Sequence, residues 1–122
     1  MTVQGNDVVQ EAPRFLVVDP MPLVAEDLAE LLREAHPGAD VVLASTASQA
    51  VAWLAELPGL TAAFVNLCAE DLAKADLPAR IEALGGAVVS LWGDRPIGAG
   101  RWFVLDLPFS AESLRSVLGR LG

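Results

Sequence analysis

Apolar residues along this chain fall into two kinds of run that alternate. Phe15-Leu16-Val17-Val18 is a compact, β-rich block closed by Asp19-Pro20, as expected of a strand buried on both faces of a parallel sheet. From Met21 to Ala35 the apolar positions Val24, Leu28, Leu31, Leu32 and Ala35 recur at spacings of three and four, while Glu26, Asp27, Glu30 and Arg33 take the other side. That pattern predicts an amphipathic helix. His36-Pro37-Gly38 stops it, and Val41-Val42-Leu43 gives a second strand. Ser45 or Thr46 can cap the next helix, whose inner face is Ala47, Ala50, Val51, Leu54 and Leu57 before Pro58-Gly59 ends it. Trp53 falls off that stripe, about 40° from Leu57 at a helical step of about 100° per residue, and is expected to be half exposed.

The third strand, Ala62 to Val65, runs into Asn66. An acidic segment with Glu70 and Asp71 then leads to a helix carrying Leu77, Ile81 and Leu84, with Pro78 in its first turn and Gly85-Gly86 at its end. Ala87 to Leu91 is a fourth strand and Trp102 to Leu105 a fifth. Between them, Trp92 to Arg101 is rich in glycine and reads as a loop with at most one helical turn. The last helix starts near Ser110 and turns Leu114, Val117, Leu118 and Leu121 inward, Arg115 and Arg120 outward. Strict strand and helix alternation of this kind predicts an α/β fold, a doubly wound five-stranded parallel sheet with helices on both faces. Residues 1–13 are polar, lack a period and end in proline, so they read as a flexible N-terminal tail before a single domain over 14–122.

Composition narrows the function classes. With 122 residues, 53% of them apolar and 20% charged, the chain is a globular domain. No apolar run approaches the roughly 18 residues needed to span a bilayer, and Met1 to Arg14 lack the basic start and apolar core of a secretory signal. No membrane role and a cytoplasmic location are therefore expected. One cysteine, Cys68, and one histidine, His36, exclude an internal disulfide and make a structural zinc site improbable. A net charge of −8 opposes binding to a phosphate backbone, so no nucleic-acid partner is expected.

In open parallel sheets, functional groups gather at the carboxyl ends of the strands. Here those ends are Asp19, Asn66, Leu91-Trp92 and Asp106-Leu107-Pro108-Phe109. The stretch from Phe15 to Val24 and the step Leu107-Pro108-Phe109-Ser110 resemble response-regulator receiver domains of the CheY-like family, and the similarity runs from Arg14 to Gly122. The resemblance implies strand order 2-1-3-4-5. It also implies an Mg²⁺ site on acids after the first strand, an aspartyl phosphoacceptor ending the third, and a hydroxyl residue and a lysine from the fourth and fifth. A fourth helix that is shortened or missing fits the short segment from Trp92 to Leu107.

The chain departs from that pattern at four of the five chemical positions, Pro20, Asn66, Trp92 and Leu107. Asp19 matches the first acid, but Pro20 stands where the second is expected. Asn66 falls at the acceptor position, and a neutral amide neither attacks phosphorus as a carboxylate does nor brings the charge that holds Mg²⁺. Trp92 falls where the hydroxyl is expected, with Ser90 two residues earlier as the nearby substitute, and Leu107 replaces the lysine before Pro108. Asp19 before Pro20 also has an ordinary turn-forming reading. The resulting expectation is a degenerate pocket of Asp19, Pro20, Asn66, Ser90, Trp92, Leu107 and Pro108, with no catalytic residue, no metal and no cofactor.

The function read from this is a phosphorylation-independent interaction module of bacterial two-component-type signalling. Its protein partner would be a histidine kinase, a regulator or a second copy of itself, docked on Arg95, Trp102, Val104 and Arg115, where aromatic and arginine residues resemble interface hot spots. For Trp102 the alternative is a ring that covers the sheet edge. Two other functions stay open: a small-ligand sensor whose pocket is lined by Leu107, Trp92 and Asn66, and a receiver with an unorthodox acceptor such as Asp71. An enzyme on this scaffold has little support, since no phosphate loop, Ser/His/Asp set or clustered carboxylate pair is visible.

Overall fold

The structure, a computed structural model, describes residues 12–91, 102–105 and 110–121. Its elements in chain order are β1 (Arg14–Val18), α1 (Pro22–Ala35), β2 (Asp40–Ala44), α2 (Ala47–Glu56), β3 (Ala62–Val65), α3 (Ala69–Lys74), α4 (Leu77–Ala83), β4 (Ala87–Ser90), β5 (Trp102–Val104) and α5 (Ala111–Leu121). The strands form one sheet in the order β2-β1-β3-β4-β5, every neighbouring pair parallel. This is the doubly wound fold expected from the sequence. The reduced helix expected between β4 and β5 falls on residues 92–101, outside the described residues, as do residues 1–11 of the tail expected over 1–13.

Alternation along the strands divides the interior into two layers. Phe15, Val17, Phe64 and Val89 face α1 and α5, while Leu16, Val18, Ala63, Val65 and Val88 face α2, α3 and α4. The central strands β3 and β4 are buried along their whole length, which is why they read as unbroken apolar runs. On α1 the buried stripe is Ala25, Leu28, Ala29 and Leu32, with Leu28 and Leu32 each worth about 1.5–3 kcal/mol of burial. Val24 and Leu31 lie to its sides. The two alanines let the helix sit close to the sheet, and a pattern weighted by side-chain size hides them.

Local signals set the element ends. Thr46 Oγ1 accepts the Gln49 backbone N–H at 3.1 Å, while Gln49 Oε1 takes the N–H and hydroxyl of Ser45 at 2.8 and 3.0 Å. The start of α2 is thus closed from both directions. Ser110 and Ser113 make the same reciprocal arrangement at α5. Gly38 and Gly85 hold φ of +97° and +84° after α1 and α4, where a side chain would be strained.

One expected element divides. The acidic segment after Asn66 is itself helical as α3, and Asp76, with φ 56°, separates it from α4. Pro78 occupies the first turn of α4 as expected, and Arg80 Nε donates to the Ala75 carbonyl at 2.9 Å where α3 ends.

Candidate functional site at the carboxyl ends of β1 and β3

β1 and β3 are neighbours with Val18 opposite Val65, so the residues leaving them, Asp19 and Asn66, emerge side by side. Their backbones continue the ladder: Asp19 N–H donates to the Ala44 carbonyl at 2.9 Å and Asn66 N–H to the Val18 carbonyl at 2.8 Å. Both side chains therefore start from fixed anchors.

Asp19 is 1% exposed. A carboxylate so buried is costly unless hydrogen-bonded, and each oxygen has a donor. Oδ1 accepts the Met21 backbone N–H at 2.8 Å, closing a turn over Pro20, and Oδ2 accepts Asn66 Nδ2 at 3.0 Å. The turn-forming reading of Asp19 is thus correct, and a cross-strand bond the sequence did not reveal is added to it. The Asn66 amide necessarily presents nitrogen here, because its oxygen would face a carboxylate oxygen.

Ser90 ends β4 opposite Val65, is fully buried, and passes its backbone carbonyl to Leu105 N–H at 2.9 Å. Pro20 is exposed beside Met21 and Leu23, an apolar rim where a second acid would have met solvent. Among the described residues, no group of three or more His, Cys, Asp or Glu side chains could hold a metal ion. No helix among them is long and apolar enough to cross a membrane. Trp92, Leu107 and Pro108 lie outside the described residues, as does the ligand pocket that two of them would line.

The expected interaction face is corrected in two respects, and Arg95 lies outside the described residues. Trp102 is only 9% exposed and belongs to the core under α2, α3 and α4, so its ring covers the sheet, as the alternative reading has it, and is not a surface anchor; its Nε1 has no hydrogen-bond partner among the described residues. Trp102 and Val104 also alternate with Phe103, which packs toward α5 beneath the Arg120 guanidinium. Arg115 sits on α5, across the sheet from Trp102, and lines a cleft of about 130 Å³ with Leu31 and Glu34 of α1. Val104, 36% exposed, and Arg115 thus remain at the surface on opposite faces of the sheet.

No family model matches the sequence, and no curated protein matches it. Solved structures do. A CheY-like receiver domain from Methylobacillus flagellatus is 21% identical with a TM-score of 0.69, over 92% of this chain and all of that one. The receiver domain of a sensor histidine kinase from Pseudomonas aeruginosa, with magnesium coordinated in its active-site cleft, is 21% identical with a TM-score of 0.70, over 91% of this chain and 98% of that one. A two-component response regulator from Clostridium difficile is 14% identical with a TM-score of 0.71, over 89% and 94%. With its 2-1-3-4-5 parallel sheet and helices on both faces, the chain has the fold of response-regulator receiver domains.

Proposed function

We propose that this chain is a receiver-like interaction module of two-component-type signalling that works without phosphoryl transfer and has no catalytic activity of its own. The observation that carries the reading is the Asn66 amide bonded to the buried Asp19 carboxylate. Phosphoryl transfer to a receiver needs an anionic nucleophile and a divalent cation to gather charge from the transferring group. Asn66 supplies neither. Asp19 already accepts a protein donor at each oxygen, and Mg²⁺ takes oxygen ligands in near-octahedral geometry at about 2.0–2.1 Å. The Asn66 amide takes one of the lone-pair sites a cation would use, and, being held there by the fold, it does not have to shed the tightly bound water shell that Mg²⁺ gives up reluctantly.

With the transfer chemistry gone, the receiver scaffold retains its surfaces, and a protein partner fits an acidic domain of net charge −8 better than a nucleic acid does. The partner class is a histidine kinase, another regulator or a second copy of this chain. Of the candidate docking residues that the structure describes, Val104 and Arg115 are exposed, on opposite faces of the sheet, so a partner would engage one of these faces and not both as a single patch.

The test is to incubate the full chain with acetyl phosphate and excess Mg²⁺ and measure its intact mass. The proposal expects the unmodified mass throughout. A stoichiometric phosphate adduct, at Asp71 or any other side chain, overturns it.

A further inference from the structure

β2 is one of the two edges of the sheet, and its hydrogen bonds fix which residues face outward. Asp40 N–H donates to the Pro13 carbonyl and the Ala44 carbonyl accepts Asp19 N–H. Asp40, Val42 and Ala44 therefore point their backbone groups at β1, and Val41 and Leu43 point theirs away. No strand among the described residues pairs with that outer side.

Exposed edges are usually blunted by lysine, proline or a bulge. The sequence Asp40-Val41-Val42-Leu43-Ala44 has none of these. Its one charge, Asp40, is held by Arg14 Nε at 3.2 Å. Leu43 is 37% exposed, so the edge is apolar as well as unpaired among the described residues. It is also self-complementary. Two copies laid antiparallel about Val42 would set Val41 of each opposite Leu43 of the other, as hydrogen-bonded pairs.

Trp53 stands in the way. It lies off the buried stripe of α2, is 37% exposed, and donates its indole N–H to the outward carbonyl of Leu43 at 3.0 Å. The amide nitrogen of a pairing strand needs that same position, about 2.9 Å from the oxygen. We propose that Trp53 is an edge guard: its indole occupies the Leu43 carbonyl and keeps the β2 edge of one molecule from pairing with β2 of a second copy.

The test compares the wild-type chain with Trp53→Ala and Trp53→Phe by sedimentation velocity over a concentration series, and by hydrogen exchange at the Val41 and Leu43 amides. In the wild type those amides exchange at a rate independent of protein concentration. In Trp53→Ala the chain self-associates and the same amides slow by about tenfold or more at the highest concentration, a gain of about 1.4 kcal/mol in protection. Adding Leu43→Lys to Trp53→Ala restores wild-type exchange. Trp53→Phe keeps a ring but loses the donor and shows the same effect more weakly, which decides the matter if the alanine variant does not fold. A folded Trp53→Phe whose Val41 and Leu43 exchange ignores concentration overturns the proposal. So does a wild-type chain already protected there by self-association, or association of the variants that leaves those amides unchanged.

Discussion

The Asn66 side chain donates to Asp19 Oδ2 at 3.0 Å across the carboxyl ends of β3 and β1. Asp19 is otherwise held by the Met21 N–H, so the amide is half of what makes a buried carboxylate tolerable at this position. The two residues form one unit, and changing either exposes the other to a cost that water would ordinarily absorb.

Asn66→Asp replaces that donor with a second anion at hydrogen-bond distance from the first. Loss of the bond plus like-charge repulsion in a buried setting is expected to cost roughly 2–4 kcal/mol of stability. Excess Mg²⁺ or Ca²⁺, bridging the two carboxylates, recovers part of that loss. Urea unfolding with EDTA and with each cation measures both effects. The wild type shows no such cation dependence.

Asp19→Ala leaves the Met21 N–H and the Asn66 amide without their acceptor. The expected loss is about 1–3 kcal/mol, read as a lower urea midpoint with an unchanged slope. The Asn66 side-chain NH₂ resonances should shift in the same variant, since they lose their carboxylate neighbour.

Two glycines separate packing from propensity. A Cβ on Gly86 would lie 3.1 Å from Ile81 Cγ2, 3.2 Å from Leu60 Cδ2 and 3.3 Å from the Ile81 carbonyl. Gly86→Ala is therefore expected to cost about 1–3 kcal/mol by overpacking the turn between α4 and β4. A Cβ on Gly119, within α5, meets nothing within 4 Å. Gly119→Ala should stabilise by about 0.5–1 kcal/mol through helix propensity. Thermal unfolding of the two variants, expected to move in opposite directions, checks both.

Thr46→Ala removes the acceptor for the Gln49 N–H at the start of α2. About 1 kcal/mol of stability should be lost. Thr46→Ser, which keeps the hydroxyl, should lose far less in the same chemical denaturation.

The order of elements was legible because buried parallel strands and one-sided helices leave different apolar periods, and Asn66 could be set at a strand end from the run before it. What the sequence hid was pairwise geometry. Nothing in Asp19-Pro20-Met21 says that the carboxylate is buried, or that a residue 47 positions away supplies its second donor. Trp102 left two readings open for a related reason: a tryptophan beside a glycine-rich segment suits a surface anchor or a ring over the sheet, and only its place in β5 shows that it turns inward. The break at Asp76 was hidden because an αL aspartate carries no composition signal of its own. Trp53 was legible, since its offset from the apolar stripe foretold half exposure, although the carbonyl it serves lies on another element.

The most direct measurement of the central claim is an NMR titration of the full chain with Mg²⁺ and then acetyl phosphate. It would follow the backbone amides of Asp19, Asn66 and Ser90 and the Asn66 side-chain NH₂. The account predicts that all four sets of resonances keep their positions through both additions. Saturable shifts at Asp19 and Asn66 with Mg²⁺, growing further as acetyl phosphate is added, would show a working phosphoryl-transfer site and contradict it.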